Sequence, residues 1–377
     1  MIEEMMSQGI VTSVTCALAE TIGKYSDDIF DWYRRELYTT RSSQDTTYST
    51  SDVETKECKK MTTSTNKTLH DHREPIDIFN HSKKFLVSYA ENFKEFLQSS
   101  TSKKLRFFFQ RAINLPINSL TVGSGSELTE TYDKLRSVFE GQVPTSIDYH
   151  SEGIHFCKNL FAKAVLQQGE NLVSTKPEMA FGLAAVIVTL CNDIPDLIEL
   201  LLAHLRISCP YLCPVLLDQS EGQSPEDYKR SLGYKFIDGT IEKKEFYLNR
   251  MSGIIKLYAA IIVARLKRNE NRRHPHGLEN AWSLLNVLIN FKLVPEHVDA
   301  IATVIHDILQ TCGSSMIKEN PSQLKILINN INENYFSELK KNGASPGPIG
   351  RLGLIIGLFY KQGHFPEPEG QLPIEFW

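Results

Sequence analysis

The chain has 377 residues, 41% of them hydrophobic, enough for one large domain or two smaller ones. Its 45 acidic residues outnumber the 41 basic ones, a net charge of −4. It therefore lacks the basic excess of a protein that holds nucleic acid by neutralising phosphates. Seven cysteines, an odd count without regular spacing, argue against a disulfide framework and for a reducing compartment.

The N-terminus, MIEEMMSQGIVTSVTCALAETIG, starts acidic and breaks its apolar stretch with Ser and Thr, unlike a secretory signal. No stretch reaches the roughly 18 uninterrupted apolar residues of a membrane span. A soluble chain of nucleus or cytoplasm is expected. Residues 1–38 read as a short helical segment ending in Trp32-Tyr33-Arg34-Arg35. Residues 39–75 are rich in Ser and Thr and bury too little to offset ordering entropy, so a disordered linker is expected there.

A helical domain is expected over 76–377. Ile78, Phe85, Tyr89, Phe93 and Phe96 carry its first pattern, and the run Phe107-Phe108-Phe109 reads as core. Gly123-Ser124-Gly125 lacks the third glycine of a dinucleotide fingerprint and reads as a turn before a helix at 126–140. Beyond 152 the apolar positions recur at 3.6 residues. Examples are Ile154, Cys157, Leu160, Phe161, Ala164 and Val165, then Leu197, Leu201 and Leu205, then Val298, Ile301, Ile305 and Ile308. Helix starts are expected near 152, 178, 194, 225, 243, 278, 296, 321 and 348. Pro195, Pro225, Pro295 and Pro321 punctuate them, and Ser224 with Asp227 resembles a capping box. Gly169, Gly313 and Gly363 are placed at helix ends. No period-2 strand is found. The fold class is all-α, an irregular HEAT-like or MIF4G-like α-solenoid of antiparallel helix pairs, whose ridges and grooves suit protein partners.

The candidate chemistry is sparse. Cys209 and Cys213 with His274 and His276 supply four potential zinc ligands, but the His pair is too close and interrupted by Pro275. His274–Leu278 reads as a structural turn, and no nucleophile, orienting carboxylate or phosphate loop accompanies it. Arg250–Ala260 reads as one helix with Met251, Ile254, Ile255, Tyr258 and Ile262 facing the core, and Gly253 admitting a close neighbour. Basic residues gather nearby: Lys163, Arg206, Lys229, Arg230, Lys235, Lys243, Lys244 and Arg250, then Lys267, Arg268, Arg272 and Arg273. Brought together, the first group would cup a polyphosphorylated small molecule. The plainer reading of each is a solvated polar face.

Several uncommon blocks recur in a fixed order. They are RAINLPINSL (111–120), TYDKLRSVFEG (131–141), LLAHLRISCPYLCP (201–214), PEDYKRSLGYK (225–235), RMSGIIKLYAAI (250–261), HPHGL (274–278), VIHDILQTCGSSMIK (304–318) and HFPEPEG (364–370). Together, from about Lys103 onward, the chain resembles the C-terminal helical domain of the nuclear-pore mRNA export mediator Gle-one. The resemblance implies a HEAT-like helical repeat and no enzyme activity. It implies activation of a DEAD-box RNA helicase at the cytoplasmic face of the pore, with an FG nucleoporin segment as a second partner and no metal. Fungal members bridge to the helicase through inositol hexakisphosphate, whereas the central blocks here look animal-type, a group that relies less on that molecule. The resemblance would place its pocket at Lys163, His204, Arg206, Lys243, Lys244 and Arg250, and Lys229, Arg230 and Lys235 read as contacts to the partner. Family members carry a long coiled coil before this domain. The residues before Lys103 hold no sustained heptads, so a shortened relative or isoform is expected. The alternative function is a helical scaffold acting on another DEAD-box helicase with translation initiation or termination factors.

Overall fold

Helix follows helix because the apolar residues keep the 3.6 period and the breaks fall at proline, glycine and capping residues. The computed structural model describes residues 75–120, 124–142, 152–237, 239–266, 273–373 and 376. The expectations for 1–38 and for the linker up to residue 74, and Lys267, Arg268 and Arg272, lie outside the described residues. The described elements belong to one compact unit, His72–Trp377.

The helices are α1 (Pro75–Glu91), α2 (Lys94–Gln98), α3 (Lys103–Ser119), α4 (Gly125–Phe139), α5 (Glu152–Gln168), α6 (Ala180–Asp193) and α7 (Asp196–Ser208). They continue as α8 (Pro225–Ser231), α9 (Lys244–Val263), α10 (Glu279–Leu288), α11 (Val298–Glu319), α12 (Pro321–Asn330), α13 (Phe336–Lys341) and α14 (Pro346–Gln362). The class is all-α. Pro225, Pro321 and Pro346 open their helices, where a missing N–H costs nothing. Ser224 and Asn320 cap theirs by accepting the amides of Asp227 and Gln323.

Packing runs through the stack in a chain of neighbours. α1 lies on α7, α7 on α5, α5 on α3, α3 on α4, α4 on α6, α6 on α9, α9 on α11 and α11 on α14. α6 is buried on every side from Ala180 to Cys191, as an all-apolar helix must be. α9 is its counterpart in the second half, with Met251, Ile254, Ile255, Tyr258 and Ile262 all buried. Past α14 the chain folds back. Gly363, at φ 77°, ends the helix, Phe365 is buried, and Glu367 meets Ser314 and Lys318 of α11.

Four expectations need correction. Gly169 does not end a helix: the chain continues through a π turn, Gly169–Val173, that lies against α9. A Cβ on Gly253 would collide with the Gly169 carbonyl oxygen and come within 2.7 Å of the Ser174 amide nitrogen. The two glycines thus serve one close crossing. Gly313 sits inside α11, where a Cβ would come 2.5 Å from the Phe365 ring. Contact with a residue far along the chain, rather than helix termination, requires it. The Phe107–Phe109 run is only partly core. Phe109 is fully buried and Phe107 is 53% exposed, because residues two apart on a helix lie about 200° apart. Lastly, a short antiparallel hairpin exists, β1 (Phe236–Ile237) with β2 (Thr240–Ile241). The Asp-Gly dipeptide at 238–239 was its sequence signal.

Candidate functional site

The region from α8 to the start of α9 gathers most of the candidate cations, and its local sequence explains how. In PEDYKRS, Glu226 and Asp227 occupy the first turn of α8 and Lys229 and Arg230 the last, matching the helix dipole at both ends. The helix closes by a left-handed Gly233 (φ 90°), with the Tyr234 amide donating to the Lys229 carbonyl. A Cβ at Gly233 would lie 2.7 Å from the Ser208 carbonyl oxygen, so the loop runs against the end of α7. The Tyr234 ring then stacks on Tyr247 of α9, 3.7 Å between centroids and 8° from parallel. Tyr247 donates its hydroxyl to the Leu232 carbonyl, pinning α8 to α9.

Beneath this surface lies a buried ionic network. Arg250 donates to the Glu170 carboxylate at 3.1 Å, to the Gly233 carbonyl at 2.7 Å and to both oxygens of Glu242. Lys235 completes it: its ammonium reaches Glu170 at 2.6 Å and its amide donates to Glu242 at 2.7 Å. Burial works against the Arg250 charge, yet the Glu242 hydrogen bond and the Glu170 and Glu242 charges raise its pKa above the ordinary value. The guanidinium is committed to carboxylates of its own chain. That placement disagrees with treating Arg250 as a cation standing ready for a ligand.

Lys229, Arg230, Lys243 and Lys244 are exposed around this core. The Arg230 guanidinium lies 4.1 Å from the Phe236 ring centroid, and the Lys229 ammonium 6.0 Å from that of Tyr234. Lys244 pairs with Asp299 of α11 at 2.5 Å. Burial would raise the Asp299 pKa, but the Lys244 and Ser345 hydrogen bonds hold it below the usual carboxylate range.

Lys163 and His204 meet across the α5–α7 contact. The His204 ring bonds Asn159 at 2.9 Å. Burial first and then the Lys163 charge push it down to about 3, so it is neutral. Burial pulls the Lys163 ammonium down to about 8. Lys163 lies on α5, and Glu170 follows seven residues later on the π turn that continues it. Arg206 is elsewhere. It lies two residues from His204, about 200° around α7, and its charge acts on Cys213, Tyr258 and His276. The predicted residues therefore resolve into a Lys163–His204 pair, an internally neutralised Arg250–Lys235 network, an exposed set of four cations and an isolated Arg206. Sequence reasoning missed the neutralising carboxylates Glu170, Glu242 and Asp299. The only signal was their spacing: Glu170 two turns beyond Lys163, and Glu242 eight residues before Arg250.

The other candidate ligands are structural in their surroundings. The His274 ring bonds the Ala264 carbonyl at 3.0 Å and receives the His276 amide, while His276 bonds the Tyr258 hydroxyl at 3.0 Å. Burial pushes the Cys209 and Cys213 thiols up to about 12. Among the described residues no group of three or more His, Cys, Asp or Glu is placed to hold a metal.

A family model described as GLE1-like protein matches residues 82–332. The mouse mRNA export factor GLE1 is 32% identical over 289 residues, covering 74% of this chain and 41% of that protein. The Drosophila melanogaster mRNA export factor Gle1 is 31% identical over 323 residues, covering 84% and 47%. The chain thus spans less than half the length of these relatives. Among solved structures, the S. cerevisiae Dbp5 C-terminal domain (a point variant) bound to Gle1 and IP6 aligns with a TM-score of 0.69 at 21% identity. The alignment covers 78% of this chain and 97% of the matched one, and at that identity it establishes the fold.

Proposed function

The chain belongs to the GLE1-like family, and from that premise we propose that it is a non-enzymatic activator of a DEAD-box RNA helicase in mRNA export. It acts at the cytoplasmic face of the nuclear pore, between nucleus and cytoplasm. The observation that carries the reading is a likeness of fold over 97% of a chain solved in the Dbp5, Gle1 and IP6 assembly. It is joined by the exposed cations Lys229, Arg230, Lys243 and Lys244 around α8 and α9. The mechanism is differential binding. A rigid helical face grips one arrangement of the helicase lobes better than another, and shifts their equilibrium by that difference alone. ATPase cycling and RNA release quicken as a result. A segment of an FG nucleoporin contacts the C-terminal helices.

Inositol hexakisphosphate fits part of the predicted pocket. Lys243 and Lys244 are exposed, and Lys163 is a partly buried cation that an arriving anion would hold charged. Arg250 and Lys235 fit less well, since Glu170 and Glu242 already neutralise them. The polyphosphate would therefore rest on Lys163 and Lys243, supported by Arg230 and Lys229, since Asp299 already neutralises Lys244. The bound molecule supplies negative charge that joins two basic surfaces.

The test is the RNA-stimulated ATPase of an export helicase with inositol hexakisphosphate, with and without the chain. We expect the rate to rise, and the rise to shrink with Lys243→Glu combined with Arg230→Glu. No stimulation at saturating chain sinks the proposal.

A further inference from the structure

Of the chain's 16 prolines, two follow a serine and none follows a threonine. Both Ser-Pro pairs open helices, Ser224-Pro225 at α8 and Ser345-Pro346 at α14. Proline pushes the residue before it out of the helical region. The two serines accordingly share one backbone conformation, φ −63° and ψ 150° against φ −67° and ψ 149°. Their side chains differ. The Ser345 hydroxyl donates to Asp299 at 2.5 Å, and its amide donates to the other oxygen of that carboxylate at 2.6 Å. Asp299 is buried, and so are Pro348 and Ile349 in the first turn of α14. Ser224 is exposed. Its hydroxyl donates to the Asp227 carboxylate at 2.8 Å and accepts the Asp227 amide at 3.0 Å, so it bonds only three residues along its own chain. α8 buries none of its seven residues. The loop before it is held by its own hydrogen bonds, from the Gln219 side chain to the Gln223 carbonyl at 2.8 Å and from the Ser220 amide to the Gln223 side chain at 3.0 Å. Gly222 turns this loop at φ 80°, with open space where a Cβ would stand.

We propose that Ser224 is a phosphorylation site for a proline-directed serine/threonine kinase, and that Ser345 is not. A kinase draws the acceptor residue and its neighbours into its cleft as an extended strand. At Ser224 this undoes one cap and one exposed turn, which lies at the low-stability end of local opening. At Ser345 it strips a buried carboxylate of two donors, a far costlier step. Proline at the following position has no N–H for the kinase's pocket to leave unpaired. In the reaction the Ser224 Oγ attacks the γ-phosphorus of ATP. The new O–P bond forms as the bond to the ADP oxygen breaks, and the hydroxyl proton passes to the kinase's own catalytic aspartate. The phosphoserine carries about −1.5 to −2 charges at pH 7. Lys229 and Arg230 stand five and six residues on, about 7.5 Å and about 9 Å along the helix axis. Both distances are close to the Debye length of about 8 Å at physiological salt, so the phosphate lowers the positive charge that this surface offers to an anion. That consequence rests on the polyphosphate reading above, and the acceptor site does not.

The experiment incubates the full chain with a purified proline-directed kinase and MgATP, and locates and times the phosphate by peptide mass spectrometry. A synthetic peptide of residues 217–230 reports whether the kinase reads the sequence. We expect Ser224 in the folded chain to react within about tenfold of the peptide's rate, and Ser345 at least about a hundredfold more slowly than Ser224. Ser224→Asn keeps a good cap and should take no phosphate at that position. Pro225→Ala keeps the hydroxyl and should slow the reaction at least about tenfold. Melting temperatures check that each variant is folded. Isothermal titration with inositol hexakisphosphate should show affinity falling about two- to fivefold on phosphorylation at about 0.1 M salt, and the difference vanishing near 1 M. An unmodified peptide, a peptide modified while the folded chain is not, Ser345 reacting as fast as Ser224, or rates indifferent to Pro225→Ala would each overturn the proposal. Equal affinity of the two forms refutes the charge effect. Inositol hexakisphosphate that binds neither form refutes the polyphosphate reading instead, and leaves the acceptor site to the mass spectra.

Discussion

Replacing Arg250 by Met is the most decisive perturbation of the site. The substitution keeps the length and apolar contacts of the side chain and deletes the guanidinium. Glu170 and Glu242, with side chains 9% and 8% exposed, then lose their shared cation. Breaking a buried ion pair from one side costs about 3 to 5 kcal/mol, because a charge is left desolvated. Here the loss falls at the lower end, about 3 kcal/mol, since Glu170 keeps the Lys235 ammonium and Glu242 keeps the Lys235 amide. With about 2 cal/mol/K of unfolding entropy per residue over roughly 300 residues, each kcal/mol moves the midpoint by about 1.6 °C, so Tm falls by about 5 °C. Calorimetry at pH 7 measures it. Adding Glu170→Gln and Glu242→Gln should restore most of the loss, because two buried carboxylates become neutral amides. Inositol hexakisphosphate titration of the same variant separates the roles. An unchanged midpoint with a large loss of affinity would refute the structural assignment and return Arg250 to the pocket.

Further outcomes follow from the packing and from the buried charge on α5. Gly253→Ala must push a Cβ into the Gly169 carbonyl and the Ser174 amide, both backbone, and should cost about 3 kcal/mol of stability by chemical denaturation. Gly350→Ala and Gly357→Ala on α14 meet nothing within 4 Å, and each should add about 0.5 to 1 kcal/mol by restricting the unfolded chain. Lys163 gives a pH dependence of definite sign. Its amine titrates near 8 in the folded chain against an ordinary 10.5, so the unfolded chain holds more protons between those values. The contribution of this group to stability therefore rises with pH across that window. A bound polyphosphate favours the charged amine, so affinity for inositol hexakisphosphate should fall about tenfold between pH 7 and pH 9 relative to Lys163→Met, measured by isothermal titration. Parallel pH profiles for the two proteins would refute the contact.

Much of the architecture was legible in the residues. Apolar spacing announced α5, α7 and α11, and proline or serine announced where α8 and α12 begin, because periodicity and capping are local properties. The two-residue hairpin escaped because its strands are too short for alternation to register, although Asp-Gly marked its turn. Tertiary contact alone decided the glycines. Gly169 and Gly313 read as helix ends, yet one admits α9 and the other admits the ring of Phe365, which returns from beyond α14. The site divided along the same line. Charge composition exposed a cluster of cations, and only the fold could say which were neutralised. Arg250 and Lys235 lie against Glu170, a partner 65 residues away from the nearer of them. Lys229, Arg230 and Lys243 stay in solvent. Local sequence fixes the period and the ends of a helix, whereas the net charge a surface offers depends on which distant carboxylates the packing carries beneath it.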